Sequence, residues 1–195
     1  MTRPYDMTLR GQLAAETTER IVDAAEALMG EGPMAAVTLK AIAARAGVSV
    51  QTVLRHLGSR DGCLDAVGRR VGERVDAQRS GSAPGDVRTA IADLITHYEA
   101  EGRLVLNLLA QEDGGDPLVR RAAEQGRTYH RAWVQRCFGP LMPDRHETRV
   151  DALVAATDLY VWKLLRLDLG RSREATEAVV LRLATAVLEG SCIES

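Results

Sequence analysis

Val37-Thr-Leu-Lys-Ala-Ile-Ala-Ala-Arg-Ala-Gly-Val-Ser49 runs directly into Val50-Gln-Thr-Val-Leu-Arg-His-Leu57, and these residues decide the fold. Thr38 reads as a helix cap, after which Leu39, Ile42 and Ala43 recur on one side of a short helix. Gly47 can take the positive φ that ends it. Ser49 caps the next helix, about Val50–Leu57, where Val53 and Leu57 lie four apart on one face. Two short helices joined by a glycine-containing turn make a helix-turn-helix, a unit that can set its second helix in the major groove of DNA. The small side chain of Ala43 lets the two helices cross closely.

With Leu39, Ile42, Ala43, Val48 and Val53 turned inward, Val50, Gln51, Leu54 and Arg55 face outward on the second helix. Arginine chelates guanine O6 and N7, glutamine pairs with adenine, and valine can touch a thymine methyl. Gln51 and Arg55, followed by Val50, are therefore the candidate base readers. Thr38, Lys40, Ser49, Thr52, His56 and Arg60 suit phosphate, because hydroxyls, cations and helix-start amides position a protein on DNA without reading sequence. Taken singly, each has a plainer explanation. Thr38, Ser49 and Ser59 would cap helices in any case, Lys40 and Arg60 could be solvated charges, and an isolated histidine is more often a surface residue than a contact. Their concentration in about 20 residues carries the argument.

Working outward, Thr17 or Thr18 can cap a preceding helix with Ile21, Ala24, Ala25 and Leu28 at helical spacing, and Gly30, Gly32 and Pro33 stop it. Residues 1–15 read as a loose arm, in which Arg3 and Arg10 are more simply solvated than bound to DNA. Downstream, Ser59 caps a longer helix with Leu64, Val67 and Val71. Ser80-Gly-Ser-Ala-Pro-Gly85 has the composition of a linker between two helices. Helical patterns follow over 86–100, 103–111 and 118–138. Asp144 and Glu147 have capping-box spacing before a helix reaching about residue 168, and Ser172 caps the last one. The expected fold is all-α with about nine helices. A three-helix helix-turn-helix domain (16–60) follows the arm, and a helical regulatory and dimerisation domain (61–195) completes the chain.

Composition agrees. Of 195 residues, 46% are apolar, 27% charged and 4% aromatic, which favours a helical globular protein. The net charge of −2 is uneven: residues 35–60 contain Lys40, Arg45, Arg55 and Arg60 and no acid, so this stretch is +4 and the rest −6. A local basic surface on a weakly acidic chain suits DNA binding by one small face. Cys63, Cys137 and Cys192 are scattered and odd in number, so a disulfide framework is not expected. His56, His97, His130 and His146 lack ligand-like spacing, and neither a metal site nor a cofactor is expected. No nucleophile–base pair or phosphate loop argues for an enzyme, and Cys137 lacks catalytic context. Without a secretory h-region or an apolar run near ~20 residues, a cytoplasmic location and no membrane association are expected.

The stretch Thr18-Glu-Arg-Ile-Val-Asp-Ala-Ala-Glu-Ala-Leu28, together with the helix-turn-helix and Thr52-Val-Leu-Arg-His-Leu-Gly-Ser-Arg-Asp61, resembles the tetracycline-repressor (TetR/AcrR type) family of bacterial regulators. The match is ungapped over about residues 17–67. The resemblance implies DNA contacts at Thr38, Ser49, Val50, Gln51, Leu54, Arg55, His56 and Arg60. Two positions depart from the family pattern. Leu54-Arg-His-Leu57 replaces a Tyr-x-His-Phe-like ending, removing a phenol that commonly touches phosphate. Val50 stands where lysine is frequent.

The resemblance also implies a homodimer on a palindromic operator and a small-molecule effector pocket among the middle helices. The helix over 149–169 is apolar almost all round and needs cover on both sides. With the last helix it can form a two-fold four-helix interface through Leu153, Tyr160, Leu164, Val179, Leu183 and Val187. Candidate pocket residues are Tyr98, Asn107, Gln111, Tyr129, Trp133 and Asp158. Tyr129 and Trp133, four apart, can equally pack in the core. Asp158 is the most unusual, suited to a cationic effector or to an ion pair with an arginine such as Arg166 across the dimer. The expected function is a repressor released from its operator by an effector. The alternatives are a DNA-binding regulator controlled by a protein partner and, more remotely, a small helical enzyme.

Overall fold

The computed structural model describes residues 7–142 and 147–190, and for residues 7–10 the backbone alone. Among the described residues there are nine α-helices and no strand: α1 (Met7–Glu31), α2 (Leu39–Ala46), α3 (Val50–Leu57), α4 (Arg60–Arg79), α5 (Val87–Leu109), α6 (Pro117–Phe138), α7 (Glu147–Ala156), α8 (Leu159–Lys163) and α9 (Arg173–Glu189). The chain divides into two compact units between Gly72 and Glu73.

In the N-terminal unit the core is formed by Ile21, Val37, Ile42, Val53 and Val67, all essentially inaccessible. The helix-turn-helix is held by the local devices its sequence announces. Thr38 Oγ1 accepts from the Ala41 amide at 3.1 Å and Ser49 Oγ from the Thr52 amide at 3.1 Å. Gly47, at φ 66°, ends α2 in the left-handed region that glycine adopts without strain. One expectation fails at α1. The helix is already running at Met7, so Thr17 and Thr18 lie inside it. Their hydroxyls donate back to the carbonyls of Leu13 (2.8 Å) and Ala14 (3.0 Å) instead of capping.

In the C-terminal unit α5, α6, α7, α8 and α9 enclose a core that includes Ile91, Leu94, Ile95, Val134, Phe138, Met142 and Leu153. Two predicted boundaries move. The segments 86–100 and 103–111 are one helix, α5, which passes through Gly102 without a break. A Cβ there would lie 2.7 Å from the Trp162 ring, so this glycine serves helix packing rather than termination. Conversely, the long helix expected to reach residue 168 is interrupted at Thr157-Asp158, giving α7 and α8, and closes in a π-turn over Leu164–Asp168. Asp144, its expected cap, lies outside the described residues. The glycine-rich stretch after α4 is packed rather than loose: Arg136 donates to the carbonyls of Arg79 (2.6 Å) and Ser82 (3.3 Å), and the Gly85 amide donates to Cys137 O at 2.7 Å.

Candidate functional site

On α3, Val50, Gln51 and Arg55 are exposed while Val53 is buried beneath them, as the pattern of outward and inward positions predicts. Thr38, Lys40 and Ser49 are also open to solvent to differing degrees, and Thr52 and His56 are half-buried. Thr52 Oγ1 lies 2.9 Å from Ser49 Oγ, so both hydroxyls belong to the α3 cap.

The four cations of this stretch divide into two kinds. Arg45 forms a bidentate pair with Glu31, at 2.5 and 2.7 Å, which holds α2 to the end of α1. Arg60 donates from Nε to Val37 O (2.7 Å) and from Nη2 to Met34 O (2.9 Å), tying the start of α4 to the segment before α2. Lys40 and Arg55 make no hydrogen bond or ion pair within the described residues. Two cations uncommitted among the described residues, with Gln51 one turn before Arg55, thus stand in a stretch, 35–60, whose sequence contains no acid.

In the C-terminal unit the candidate pocket residues fall into three places. Asn107 and Gln111 meet each other at the end of α5, with Gln111 Nε2 donating to Asn107 O at 2.9 Å. Asp158 is the N-cap of α8, accepting from the Tyr160 amide at 2.8 Å. Arg166, its suggested partner, pairs with Glu99 through two hydrogen bonds of 2.6 and 2.8 Å.

Tyr98, Tyr129 and Trp133 gather around Arg79, a residue that no sequence pattern singles out. Arg79 is 2% exposed. Its guanidinium carbon lies 4.3 Å from the Trp133 ring centroid and 5.4 Å from that of Tyr129. Its Nη2 is 2.9 Å from His130 Nδ1. The Thr157 hydroxyl donates to Leu153 O at 2.6 Å, so His130 must donate from Nε2 to Thr157 Oγ1 at 3.1 Å. His130 is therefore the neutral Nε2–H tautomer, accepting from Arg79 at Nδ1. Burial, reinforced by the positive charge of Arg79, pushes the His130 imidazole down to about 3, and the same two causes, with His130 itself, bring His97 to about 3. Burial also raises the Tyr129 phenol to about 12. Tyr98 donates to Thr157 O at 2.9 Å.

Residues 21–67 match the family model described as bacterial regulatory proteins, tetR family. This chain carries the N-terminal domain of the TetR family. No curated protein matches it in sequence. Solved structures extend the likeness to the whole fold. A transcriptional regulator from Rhodococcus sp. Rha1 superposes with a TM-score of 0.70 at 19% identity, over 91% of this chain and 99% of that one. A TetR-like transcriptional regulator from Rhodococcus sp. RHA1 gives 0.65 at 19%, covering 90% and 97%. The multidrug binding protein EbrR, complexed with imidazole, gives 0.55 at 23%, covering 86% and 89%. The fold is that of TetR-family transcriptional regulators.

The remaining candidates concern the surface of the C-terminal unit of this TetR-like fold. Tyr160 (55% exposed), Leu164 (49%), Val179 and Leu183 are large apolar side chains left open on α8, the π-turn and α9, and Val187 is half-buried. Leu169 adds to them. Leu153 does not: it is wholly enclosed in the core of its own unit and cannot face a partner. The periodicity of α7 marks it as apolar but does not say which side of an all-round apolar helix the same chain covers. Among the described residues no helix is long and apolar enough to cross a membrane, and no group of three His, Cys, Asp or Glu side chains could hold a metal.

Proposed function

We propose that this chain is a homodimeric, sequence-specific transcriptional regulator that represses from a palindromic operator and is released by a small-molecule effector. Residues 16–60 carry DNA recognition, and residues 61–195 carry dimerisation and ligand response. The observation that carries the reading is the α3 surface, where Arg55, Gln51 and Val50 are exposed on a helix whose caps and turn have helix-turn-helix form, and where Arg55, like Lys40 on α2, has no hydrogen bond or ion pair among the described residues. Gln51, Arg55 and Val50 read base edges; Lys40, Thr38, Ser49, Thr52 and His56 contact phosphate. Arg60 acts mainly by holding the segment before α2 in place. The open apolar side chains Tyr160, Leu164, Val179 and Leu183 support a two-fold contact that presents two α3 helices one turn of DNA apart, ~34–36 Å. The likeness to a multidrug binding protein supports ligand response, and the site of action is the cytoplasm, with the DNA.

The test is selection of bound sequences from a random double-stranded DNA pool. Enrichment of an inverted repeat is expected, establishing specific binding and two-fold symmetry together. Absence of any enriched sequence would overturn the proposal.

A further inference from the structure

Arg79 is a cation buried in the C-terminal unit. Among the described residues no Asp or Glu pairs with it. The buried carboxylate of Glu101 is held by Arg74 through hydrogen bonds of 2.7 and 3.0 Å, and Glu99 is held by Arg166 and Trp162. Removing a charge from water without a counter-charge is costly, so an arginine this deep ordinarily sits against a carboxylate. Here it sits against Trp133, Tyr129 and a neutral histidine.

Among the described residues the buried side-chain atoms without a partner include the acceptors Gln78 Oε1 and Asp93 Oδ2, and around Arg79 they include donors. Arg79 Nε and Trp133 Nε1 are buried and lack a partner, and so does His97 Nδ1. Arginine and the indole can only donate. Three acceptors of the cluster are already used: His130 Nδ1 takes Arg79 Nη2, Thr157 Oγ1 takes His130 Nε2, and Thr157 O takes the Tyr98 hydroxyl. The cluster thus carries a positive charge and two unmet N–H groups on side chains in direct contact. What complements it is a negatively charged acceptor. The aromatic side chains packed around the cluster specify the rest of the ligand. Trp133 stacks with His130 at 5.7 Å and meets the edge of Phe138 at 5.5 Å, while Tyr98 contacts His97 and Trp162. In a chain with 4% aromatic residues this is a concentrated group of flat, apolar rings.

We propose that Arg79, Trp133 and His97 form the recognition centre for an anionic effector, a small aromatic carboxylate whose oxygens accept from Arg79 Nε and Trp133 Nε1. The proposal rests on the ligand-responsive reading and names the chemical class of its ligand. It excludes the opposite class, since an aromatic cation entering beside Arg79 meets a like charge in a low-dielectric surrounding.

The full-length protein is titrated calorimetrically, without DNA, with benzoate and 1-naphthoate, with the neutral amides of both, and with 1-naphthylmethylammonium. At least one carboxylate is expected to bind ten-fold or more tightly than its amide, and the cation not to bind. In Arg79→Met the carboxylate preference should fall below three-fold. Trp133→Phe keeps an aromatic ring and removes the N–H, and should weaken carboxylate binding several-fold while leaving the amide unchanged. Equal binding of carboxylate and amide, tighter binding of the cation, no binding of either carboxylate at millimolar concentration, or an unchanged preference in Arg79→Met would each overturn the assignment. If Arg79→Met does not fold, the wild-type carboxylate-to-amide ratio and Trp133→Phe still decide. An enriched palindrome with no carboxylate binding removes this inference and leaves the regulator; carboxylate binding with no enriched DNA does the reverse.

Discussion

Thr18 Oγ1 lies 2.9 Å from His56 Nδ1 and joins α1 to the last turn of α3. The Thr18 hydroxyl proton points to Ala14 O, 3.0 Å away, so the imidazole donates from Nδ1 and Thr18 accepts. A residue of α1 therefore sets the ring of a candidate phosphate contact on α3. Thr18→Val keeps the shape and removes the acceptor. It should cost about 1 kcal/mol in urea unfolding and weaken binding to the selected operator several-fold without changing its preferred sequence. An unchanged unfolding midpoint would show that the contact carries no weight.

Arg60 is the second brace of the same unit. Its fork engages Val37 O and Met34 O at 2.7 and 2.9 Å, an arrangement that the point charge of lysine cannot reproduce. Arg60→Lys should destabilise the protein by about 1–3 kcal/mol, because carbonyls partly withdrawn from water lose their donors. The salt dependence of DNA binding should stay as in the wild type, since the positive charge is retained. A variant of wild-type stability would show that the fork is dispensable.

Arg55 and Lys40 should separate into two kinds of DNA contact. Arg55→Ala is expected to weaken specific binding by roughly 1–3 kcal/mol and to relax the preference at one base pair in each half-site. Lys40→Ala should weaken binding to all sequences alike and reduce the slope of log affinity against log salt by about one. Titrations at several salt concentrations on operator and scrambled DNA distinguish these outcomes. Intact affinity and base preference in Arg55→Ala would place the reading surface elsewhere.

The parts of this design written in short-range chemistry are legible in the amino-acid sequence. Thr38, Gly47 and Ser49 act within three or four residues of themselves, so type and spacing suffice to assign them. Thr18 is ambiguous because capping and donating back to i−4 use the same hydroxyl, and the choice depends on whether a helix already runs at Met7. The patterns over 86–100 and 103–111 read as two helices, because the reason for glycine at position 102 between them is the Trp162 ring, 60 positions away. Asp158 reads as a charge buried in an apolar helix, whereas the helix restarts there and the carboxylate caps it. Arg79 carries no local mark at all: its burial is created by Trp133 and His130 from another helix, and the sequence shows it as one basic residue among 25.

The open apolar side chains of the C-terminal unit make a prediction about assembly. Leu164 and Leu183 are both exposed, on the π-turn and α9. Burying such side chains contributes about 1.5–3 kcal/mol apiece, while burying an unpaired carboxylate opposes association. Leu164→Glu with Leu183→Glu should convert a dimer to a monomer in sedimentation at micromolar concentration, with helical content retained. Palindromic DNA should then bind far more weakly, and a single half-site about as before. A wild-type sedimentation profile in the double variant would move the interface to another face.

The two buried histidines predict how stability depends on acid. His97 and His130 are held to about 3, against an ordinary 6.5, by burial and by Arg79. Well above pH 6.5 both are neutral whether the chain is folded or unfolded, and they contribute no pH dependence. As pH falls below 6.5 the unfolded chain takes up protons that the folded chain refuses, so stability declines progressively toward pH 3. The slope approaches about 1.4 kcal/mol per pH unit for each histidine. Urea midpoints between pH 6.5 and 5 isolate this effect, because ordinary carboxylates titrate mainly below that window. His130→Gln supplies an amide oxygen for Arg79 and an N–H for Thr157 without a titrating group, and should remove about half of the slope. A wild-type midpoint that stays flat from pH 6.5 to 5 would mean that the unfolded chain gains no protons over the folded one. In that case burial and Arg79 would not be holding the two imidazoles neutral in the folded chain.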